Sequence, residues 1–501
     1  MRTIAIMPKI ELANQYFHKG DFNKAGQLYR QLLMENKQNI SALWGLGNVA
    51  LALDNYQRAY DIFDRCLSLN ANLPQLYLSS AQASIHLTLF DKAEQFLLKA
   101  YQLNATFVPT LFKLATYYCE SGDYECSQRY IAQWRTIEPD SIAAFGLLVR
   151  INKISFNDDE SKDYIASMEL KLNSSSHSLS NKEQVTLHFS FAELYHNAQQ
   201  YRKAFTHFDL ANKLQRKDIN FTVNDMQDYF NNLIDVFDQN LFESKLSPAQ
   251  GSFNKPTLTP IFIVGQPRSG STLLEQMLIG HSQICSGGEL PFLAGDIAQG
   301  VYQATGQHFP EACRLLNKSH CEQLGAHYLK NLQSLAPSSS YIIDKMPANY
   351  QSIGLIKMLM PHAKIIHITR DPIDVSWSIF RNHFESLEPY FCSLPEIAQY
   401  HQFYQTVMKQ WEKVIPTFIH TISYEDLILN PKQEMKNILT FCQLDFENDC
   451  LNLSSGKRYI STLSDIQLRA GIKQNRESSW LPYKEFLAPL FDALGIDKVK
   501  K

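Results

Sequence analysis

A glycine-bounded turn near the middle of the chain combines the residue types that bind an anion. The run Ile261-Phe262-Ile263-Val264 predicts a buried strand, and the segment from Leu273 to Leu278 predicts a helix. Backbone N–H groups at a helix start, together with its positive dipole end, bind phosphate-like groups. The turn adds a guanidinium, hydroxyls and a flexible glycine. We therefore expect an anion to be held by Arg268, Ser269, Gly270, Ser271 and Thr272.

A second set of anion-binding residues follows further along the chain. Residues 364–369 predict another buried strand, which ends in Arg370-Asp371-Pro372. A helix should follow, because proline suits the first helical turn. Ser378 lies about two turns into that helix. Ligands of open α/β sheets bind at the carboxyl ends of the strands, so Arg370 and Ser378 are candidates to hold a second phosphate.

The spacing of the loop glycines leaves a second class of enzyme open. Gly265 and Gly270 have the G-x-x-x-x-G spacing of a nucleoside-triphosphate-binding loop, but Ser271 stands where that loop has its lysine. The run Tyr341-Ile342-Ile343-Asp344 could end in a Mg²⁺-binding carboxylate, as in a P-loop-like kinase or NTPase. The missing lysine and the second anion site argue against this alternative.

The first half of the chain repeats with a period of 34 residues. Small residues recur at Ala13, Gly47, Ala81 and Ala115, and again at Ala25, Ala59, Ala93 and Ser127. Larger residues recur at Phe22, Tyr56, Phe90 and Tyr124, and at Tyr29, Phe63, Leu97 and Ile131. Small residues let paired helices approach closely, and the aromatic residues fill the groove between successive pairs. The pattern resembles the tetratricopeptide repeat.

Proline and repeat spacing together predict a multidomain chain. Five prolines lie in residues 1–250 and fifteen in 251–501, so the first half should be helical and the second should contain strands and turns. We predict an all-α array over 1–216, a helical connector over 217–254 and an α/β domain over 255–498. Within the array we expect regular repeats over about 6–141, an irregular polar insertion over about 152–183 and a further repeat over about 185–216.

Composition excludes several classes of protein. The 501 residues carry a net charge of −3, so no basic excess indicates a nucleic-acid partner. The nine cysteines include no C-x-x-C pair, which argues against a zinc cage and a disulfide framework and favours reduced thiols. No apolar run has the length of a membrane span. We expect a cytoplasmic protein without a bound metal.

Five motifs in the second half occur in the order found in one enzyme family. They are PIFIVGQPRSGSTLLEQML, SGGELPFL, DKMPANY, KIIHITRDPIDVSWSIFRNHF and SYEDLILNP. Over about residues 256–490 they resemble the sulfotransferase domain of bacterial tetratricopeptide sulfotransferases, relatives of the tyrosylprotein sulfotransferases. The resemblance implies a tetratricopeptide superhelix followed by a P-loop-like α/β sulfotransferase domain with a parallel sheet.

The resemblance also implies a donor and the residues that hold it. The donor in this family is 3′-phosphoadenylyl sulfate (PAPS), and no metal is required. The loop from Arg268 to Thr272 would hold the 5′-phosphosulfate, and Arg370 with Ser378 would hold the 3′-phosphate. The tyrosine of the YEDL motif, Tyr424, would contact the nucleotide.

The resemblance assigns chemistry to residues outside the two anion motifs. Glu289 matches the general base of the tyrosylprotein branch, and a hydroxyl that attacks sulfur must lose its proton to such a group. Lys345 matches the lysine that stabilises charge on the departing bridging oxygen, and Arg268 can neutralise charge beside it. His281 is a rival base. Arg381 lies near the position of a further basic residue of the family.

The acceptor and the late part of the chain are less specific. Ser461 to Arg469 resembles the family's nucleotide-covering loop, and Trp480 and Tyr483 follow the family pattern. Relatives suggest a tyrosine on a protein or peptide that the repeat array helps to capture, while a carbohydrate or small-molecule hydroxyl stays open. A third alternative is a scaffold with an inactive α/β domain, against which the intact candidate site argues.

Overall fold

The structure is a computed structural model that describes residues 2–69, 72–174, 179–217, 219–220, 222–245, 258–384, 388–452 and 478–496. The chain divides into two compact units. The first ends at Ile151 and the second begins at Asn152. None of the described helices has the length and apolar character needed to cross a membrane.

The first unit is built from antiparallel helix pairs. Its described residues form α1 (Arg2–His18), α2 (Phe22–Glu35), α3 (Ile40–Ala52), α4 (Tyr56–Ser68), α5 (Pro74–His86), α6 (Phe90–Leu103), α7 (Val108–Ser121), α8 (Tyr124–Ile137) and α9 (Ile142–Arg150). Polar side chains cap several helix starts. Asp21, Asn55 and Asp123 each accept a hydrogen bond from the backbone N–H three residues later, over 3.1, 3.3 and 3.1 Å.

The 34-residue period is a packing pattern. Ala13, Ala81 and Ala115 are at most 1% exposed, and a Cβ on Gly47 would lie 2.3 Å from the ring of Phe63. The predicted close approach of paired helices is therefore confirmed. The first aromatic series is different, because its members open α2, α4, α6 and α8 and are only half-buried.

The second unit begins with further helices. They are α10 (Asp159–Asn173), α11 (Asn181–Asn197), α12 (Tyr201–Lys217), α13 (Val223–Val236) and α14 (Gln239–Lys245). The pair α11–α12 has the internal spacing of a repeat, and on that basis the sequence assigns it to the array. In the structure it lies in the second unit, where Asn212 Nδ2 donates to the carbonyl oxygen of Phe380 over 2.8 Å. The boundary at residue 216 stays a prediction.

A parallel five-stranded sheet forms the centre of the second unit. Its strands are β1 (Thr259–Gly265), β2 (Ile284–Ser286), β3 (Tyr341–Asp344), β4 (Lys364–Thr369) and β5 (Ile419–Ser423), in the order β2-β3-β1-β4-β5. The central strand β1 is buried along its whole length, as expected for a parallel sheet covered on both faces. The carboxyl ends of all five strands meet at one edge. The predicted α/β fold is confirmed.

Helices cover the sheet and place the loops at that edge. They are α15 (Ser271–Leu278), α16 (Ala298–Thr305), α17 (Lys318–Leu335), α18 (Ile353–Leu359), α19 (Pro372–Phe380), α20 (Leu394–Val414), α21 (Tyr424–Leu429), α22 (Pro431–Cys442) and α23 (Ala488–Leu494). Two separate apolar clusters include strand residues of alternating direction: Phe262 and Val264 belong to one, and Ile261 and Ile263 to the other.

Candidate active site

The anion loop (residues 265–272) connects β1 to α15, and its backbone requires glycine at two positions. Gly265 has φ +156° and Gly270 has φ +107°. A Cβ at position 265 would lie 2.5 Å from the carbonyl oxygen of Ile368, and one at position 270 would lie 2.4 Å from Cδ2 of Tyr424. The loop is therefore packed directly against β4 and the start of α21.

The loop hydroxyls gather at the start of α15. Ser269 is 1% exposed, and Ser271 and Thr272 are 6% exposed. The Ser269 hydroxyl oxygen is buried without a hydrogen-bond partner in the part of the chain that the structure describes. Leaving such a group unpaired costs about 1–3 kcal/mol. An anionic group at the helix start would accept its hydrogen bond, so these residues fit the phosphosulfate end of PAPS.

Two arginines join the loop to the second predicted anion motif. Arg268 Nε donates to the hydroxyl oxygen of Ser378 over 2.9 Å, and Arg370 Nη1 donates to the carbonyl oxygen of Arg268 over 3.3 Å. The Arg370 guanidinium also lies 4.5 Å from the ring centroid of Tyr424. The structure thus brings together predicted residues from three segments. The sequence predicts that Ser378 acts together with Arg370. In the structure, the Ser378 hydroxyl accepts a hydrogen bond from Arg268.

A buried cation and two carboxylates occupy the neighbouring strand ends. Lys345 follows β3, and its side chain is 3% exposed. Its ammonium forms an ion pair with Glu289 and lies 3.9 Å from Oε2 of Glu275 on α15. The Glu289 side chain is 47% exposed, so an acceptor can reach it from solvent. Sequence reasoning missed Glu275, which was visible only as a polar residue in an apolar helix.

Backbone contacts hold Glu289 beside β3. Gly287 N donates to the carbonyl oxygen of Ile343, and Lys345 N donates to that of Gly288, each over 2.8 Å. A Cβ on Gly287 would lie 2.9 Å from the Ile343 oxygen, so glycine permits this approach. The Ser286 hydroxyl donates to Glu275 over 2.5 Å, which ties the same turn to α15.

The charges of this cluster depend on burial and on each other. Burial raises the pKa of the Glu275 carboxyl, while the Lys345 ammonium opposes that rise. Burial alone would lower the pKa of Lys345, but the carboxylates of Glu275 and Glu289 more than offset it, so its pKa is raised. Lys345 is therefore a cation in the resting site.

The sequence of residues 260–448 matches the sulfotransferase family, and that of residues 16–85 matches the tetratricopeptide repeat. The second unit carries a sulfotransferase-family domain. The first unit carries tetratricopeptide repeats. All the predicted site residues lie within the 260–448 match.

Individual relatives are distant. A protein from Aquifex aeolicus (strain VF5) is 27% identical over 382 residues, which are 74% of this chain and 48% of that protein. The chain thus spans about half the length of that relative. Chicken (Gallus gallus) protein-tyrosine sulfotransferase 2 is 24% identical over 258 residues, 47% of this chain and 69% of that enzyme.

Two solved structures are similar to portions of this chain. The sulfotransferase domain from the curacin biosynthetic pathway is 22% identical, with a TM-score of 0.30, over 48% of this chain and 98% of that domain. The crystal structure of MamA protein is 19% identical, with a TM-score of 0.30, over 35% of this chain and 96% of that protein.

Asp344 of the sulfotransferase domain, the carboxylate that a kinase or NTPase would offer to Mg²⁺, is engaged inside the fold. It is fully buried, and its Oδ2 accepts hydrogen bonds from the Tyr328 hydroxyl over 2.6 Å and from Asn349 Nδ2 over 3.2 Å. Burial raises its pKa to about 7. These hydrogen bonds hold the Asp344 carboxyl group in the interior of the sulfotransferase domain.

The rival base His281 uses both ring nitrogens in the fold. Its Nε2 lies 3.0 Å from the carbonyl oxygen of Asp445, and its Nδ1 accepts from Gln283 N over 3.1 Å. Arg381 is likewise engaged, because its Nη2 donates to Glu193 of α11 over 2.8 Å. None of these contacts involves a residue of the anion loop.

A histidine that sequence reasoning missed supports the loop. His401 of α20 lies with Nδ1 2.6 Å from Oε1 of Gln266, and burial lowers its pKa to about 4. The neutral ring therefore donates to the loop glutamine. No motif surrounds His401, so only the packing of α20 against the sheet could reveal it. Of the late segment, residues 461–469 lie outside the described residues, while Trp480 and Tyr483 are buried.

Proposed function

We propose that the sulfotransferase domain transfers a sulfuryl group from PAPS to an acceptor hydroxyl. The observation that carries the proposal is the pairing of the exposed Glu289 carboxylate with the buried Lys345 ammonium at the strand edge that also bears the anion loop. A proton acceptor and a cation beside an anion-binding helix start are the groups that such a transfer requires.

Each group has one task in the proposed reaction. Glu289 takes the proton of the acceptor hydroxyl as general base. Lys345 and Arg268 neutralise the charge that develops on the departing bridging oxygen. When bound, PAPS supplies the sulfuryl group: a bond forms between the acceptor oxygen and sulfur, the bond from sulfur to the bridging phosphate oxygen breaks, and that oxygen keeps the electron pair.

The resting contact between Glu289 and Lys345 must open before transfer. An acceptor hydroxyl that approaches Glu289 competes with the ammonium for the same oxygen. Glu275 is buried, with Oε2 3.9 Å from the Lys345 ammonium, and would keep the cation in the site while Lys345 exchanges its contact with Glu289 for one with the donor. We therefore assign Glu275 to the positioning of Lys345.

Donor recognition falls to the loop and the second motif. Ser269, Ser271 and Thr272 would hold the phosphosulfate, with the backbone N–H groups of Gly270 and the residues after it. Arg370 and Ser378 would hold the 3′-phosphate, and Tyr424 would contact the nucleotide. The support is the packing of Arg370 against both the Arg268 carbonyl and the Tyr424 ring. No group of three or more metal-ligating side chains occurs among the described residues.

The proposed acceptor is a tyrosine of a protein or peptide. Two matched relatives are named protein-tyrosine sulfotransferases, from chicken and from zebrafish (Danio rerio). Tetratricopeptide repeats commonly bind proteins through their concave face, so the array is the proposed acceptor-binding part. A carbohydrate or small-molecule hydroxyl is the alternative acceptor. We place the protein in the cytoplasm, with support from its nine free cysteines.

One experiment tests both the reaction and the acceptor. The full chain is incubated with sulfur-labelled PAPS and with tyrosine peptides, polysaccharides or a metabolite pool, side by side and with a chelator present. We expect label in the tyrosine peptides. Label only in another pool would replace the acceptor but keep the reaction. A parallel incubation contains ATP and Mg²⁺, with and without the chelator. No sulfuryl transfer to any pool, together with ATP consumption that the chelator stops, would overturn the proposal in favour of an NTPase.

A further inference from the structure

A polar cavity lies at the edge of the sheet opposite to the anion loop, where the strands begin. Its volume is about 230 Å³, and its lining includes Thr259, Tyr341 and Lys364, the first residues of β1, β3 and β4. The anion loop follows the last residue of β1. Because a strand rises about 3.3 Å per residue, the two places are roughly 20 Å apart. The cavity is therefore separate from the proposed donor site.

Two lysines give the cavity its charge. The Lys357 ammonium lies 4.3 Å from the ring centroid of Phe418, and that of Lys364 lies 5.0 Å from the ring centroid of Phe441. All four residues line the cavity. Neither lysine forms an ion pair with a carboxylate of the described chain. Each ammonium instead lies over the face of an aromatic ring.

The lysine charges are incompletely compensated. Burial lowers the pKa of Lys357, and no neighbouring carboxylate counteracts that effect. Ring faces attract a cation more weakly than a negative charge does. His362 adds a third nitrogen group to the lining, and Thr417, also in the lining, holds a left-handed φ of +69°. Such backbone conformations persist where the surroundings demand them, often at ligand sites.

We propose that this cavity binds a small anion that carries a phosphate or sulfate group, through Lys357 and Lys364. An ammonium is a compact charge with three donors, which suits a tetrahedral oxyanion. The cavity volume exceeds that of an inorganic ion, so the same group on a small organic molecule also fits. The site does not depend on the reaction proposed for the other edge of the sheet.

Calorimetry with inorganic phosphate at low salt tests the site. The anion loop and the Arg370–Ser378 pair can also bind phosphate, so the titration is made in the full chain carrying Arg268→Gln and Arg370→Gln, with and without Lys357→Gln and Lys364→Gln. We expect the double lysine change to weaken phosphate binding at least about tenfold, since each lysine supplies a charged hydrogen bond. Lys436→Gln is the matched control, because Lys436 also lies over a ring, that of Phe446, but outside the cavity.

Equal phosphate affinity with and without the two lysine changes would overturn the proposal, as would absence of phosphate binding in the chain carrying Arg268→Gln and Arg370→Gln. A folding defect is recognised from the thermal transition. In that case the single lysine variants decide the question, together with the phosphate stoichiometry of the otherwise unchanged chain, which should fall by one when either lysine is replaced. Glycerol 3-phosphate, titrated in parallel, distinguishes an organic phosphate from the inorganic ion.

Discussion

Glu289 is the proposed general base, and its contact with Lys345 must open before it can accept a proton. Replacing it by glutamine keeps its size but removes most of its ability to accept a proton. We expect Glu289→Gln to lower turnover by about 10²–10⁴ and to leave PAPS affinity nearly unchanged, because the base acts on the acceptor. Steady-state rates and donor calorimetry measure both effects.

A matched control for that variant is Glu322→Gln, which alters an exposed glutamate of α17 that is paired with Lys318. A phenol of low pKa should partly rescue Glu289→Gln, because it supplies the phenolate without a base. Normal turnover in Glu289→Gln, or a large loss of PAPS affinity, would contradict the assignment.

Arg370 should distinguish PAPS from its analogue without the 3′-phosphate. A hydrogen bond to a charged group contributes roughly 1.5–3 kcal/mol, so Arg370→Gln should weaken PAPS binding at least about tenfold. Adenosine 5′-phosphosulfate, which lacks that phosphate, should bind both forms alike. Calorimetry with the two nucleotides separates a phosphate contact from a general disturbance of the loop. If both nucleotides lose affinity equally, Arg370 supports the Arg268 carbonyl and does not bind the phosphate.

Asp344 predicts a pH dependence of stability. Burial raises its folded-state pKa to about 7, above the ordinary 3.8, so the folded chain binds this proton more tightly than the unfolded chain. Its stabilising effect is present at low pH and is lost as the pH rises toward 7. A shift of one pKa unit corresponds to about 1.4 kcal/mol. Between about pH 5 and pH 7, the free energy of unfolding of Asp344→Asn should therefore rise by about 3 kcal/mol relative to that of the unaltered chain. Urea unfolding measures this difference, and parallel pH curves would contradict it.

The sequence predicted the site residues that lie in motifs, but not their partners. The anion loop was predictable because strand, turn and helix are local features. The contact between Glu275 and Lys345, and that between Gln266 and His401, join segments whose proximity depends on the order β2-β3-β1-β4-β5. A single sequence does not specify that order.

At the scale of elements, the pair α11–α12 is held to the sulfotransferase domain by Glu193 and Arg381. The Arg381 side chain is 13% exposed and that of Glu193 is 34% exposed. Glu193→Ala would leave a nearly buried guanidinium without its carboxylate. We expect it to lower the free energy of unfolding by about 1–3 kcal/mol, measured by urea unfolding.

The matched control for Glu193→Ala breaks an exposed ion pair of the same helix pair, α11–α12. Arg202 and Glu485 are 75% and 62% exposed, so Glu485→Ala should change the free energy of unfolding by about 0–1 kcal/mol. Equal effects of the two substitutions would show that burial of Arg381 does not set the strength of its pair.

The helices of this pair were predictable, but their location was not. Ala192, Ala204 and Phe208 keep the spacing of the earlier repeats, and that spacing determines how two helices pack. It does not determine what covers their outer surface. That surface meets Trp377, whose ring lies 5.7 Å from that of Phe208. The repeat spacing therefore predicted this helix pair, but it did not predict which residues pack against the pair.

At the scale of the whole molecule, the two compact units predict where the chain can be shortened. Deleting residues 1–151 removes the first unit and leaves the second complete, so the remainder should keep its thermal transition and its transfer to a small acceptor. Transfer to a macromolecular acceptor should fall if the array binds it. Equal loss of both transfers would show that the array supports the catalytic domain and does not bind the acceptor.

Deleting residues 1–216 should have a different result. It also removes α11 and α12, which takes away Phe208 and the carboxylate of Glu193 and uncovers Trp377. We expect this shorter chain to lose its cooperative thermal transition, measured by circular dichroism. Retention of that transition would show that the hairpin is dispensable and would favour the boundary at residue 216.

The position of α11–α12 also bears on how such a chain can change in evolution. Repeats are gained and lost by duplication or deletion of whole units, which is tolerated where each unit contacts only its neighbours. Among the described residues of the first unit, each helix packs mainly against the helices next to it along the chain. The hairpin α11–α12 keeps the spacing of a repeat but packs within the second unit, where Phe208 lies against Trp377, so we expect its duplication or deletion to be tolerated less well. We therefore expect related chains to differ in repeat number ahead of residue 151 and to keep the α11–α12 hairpin together with the second unit.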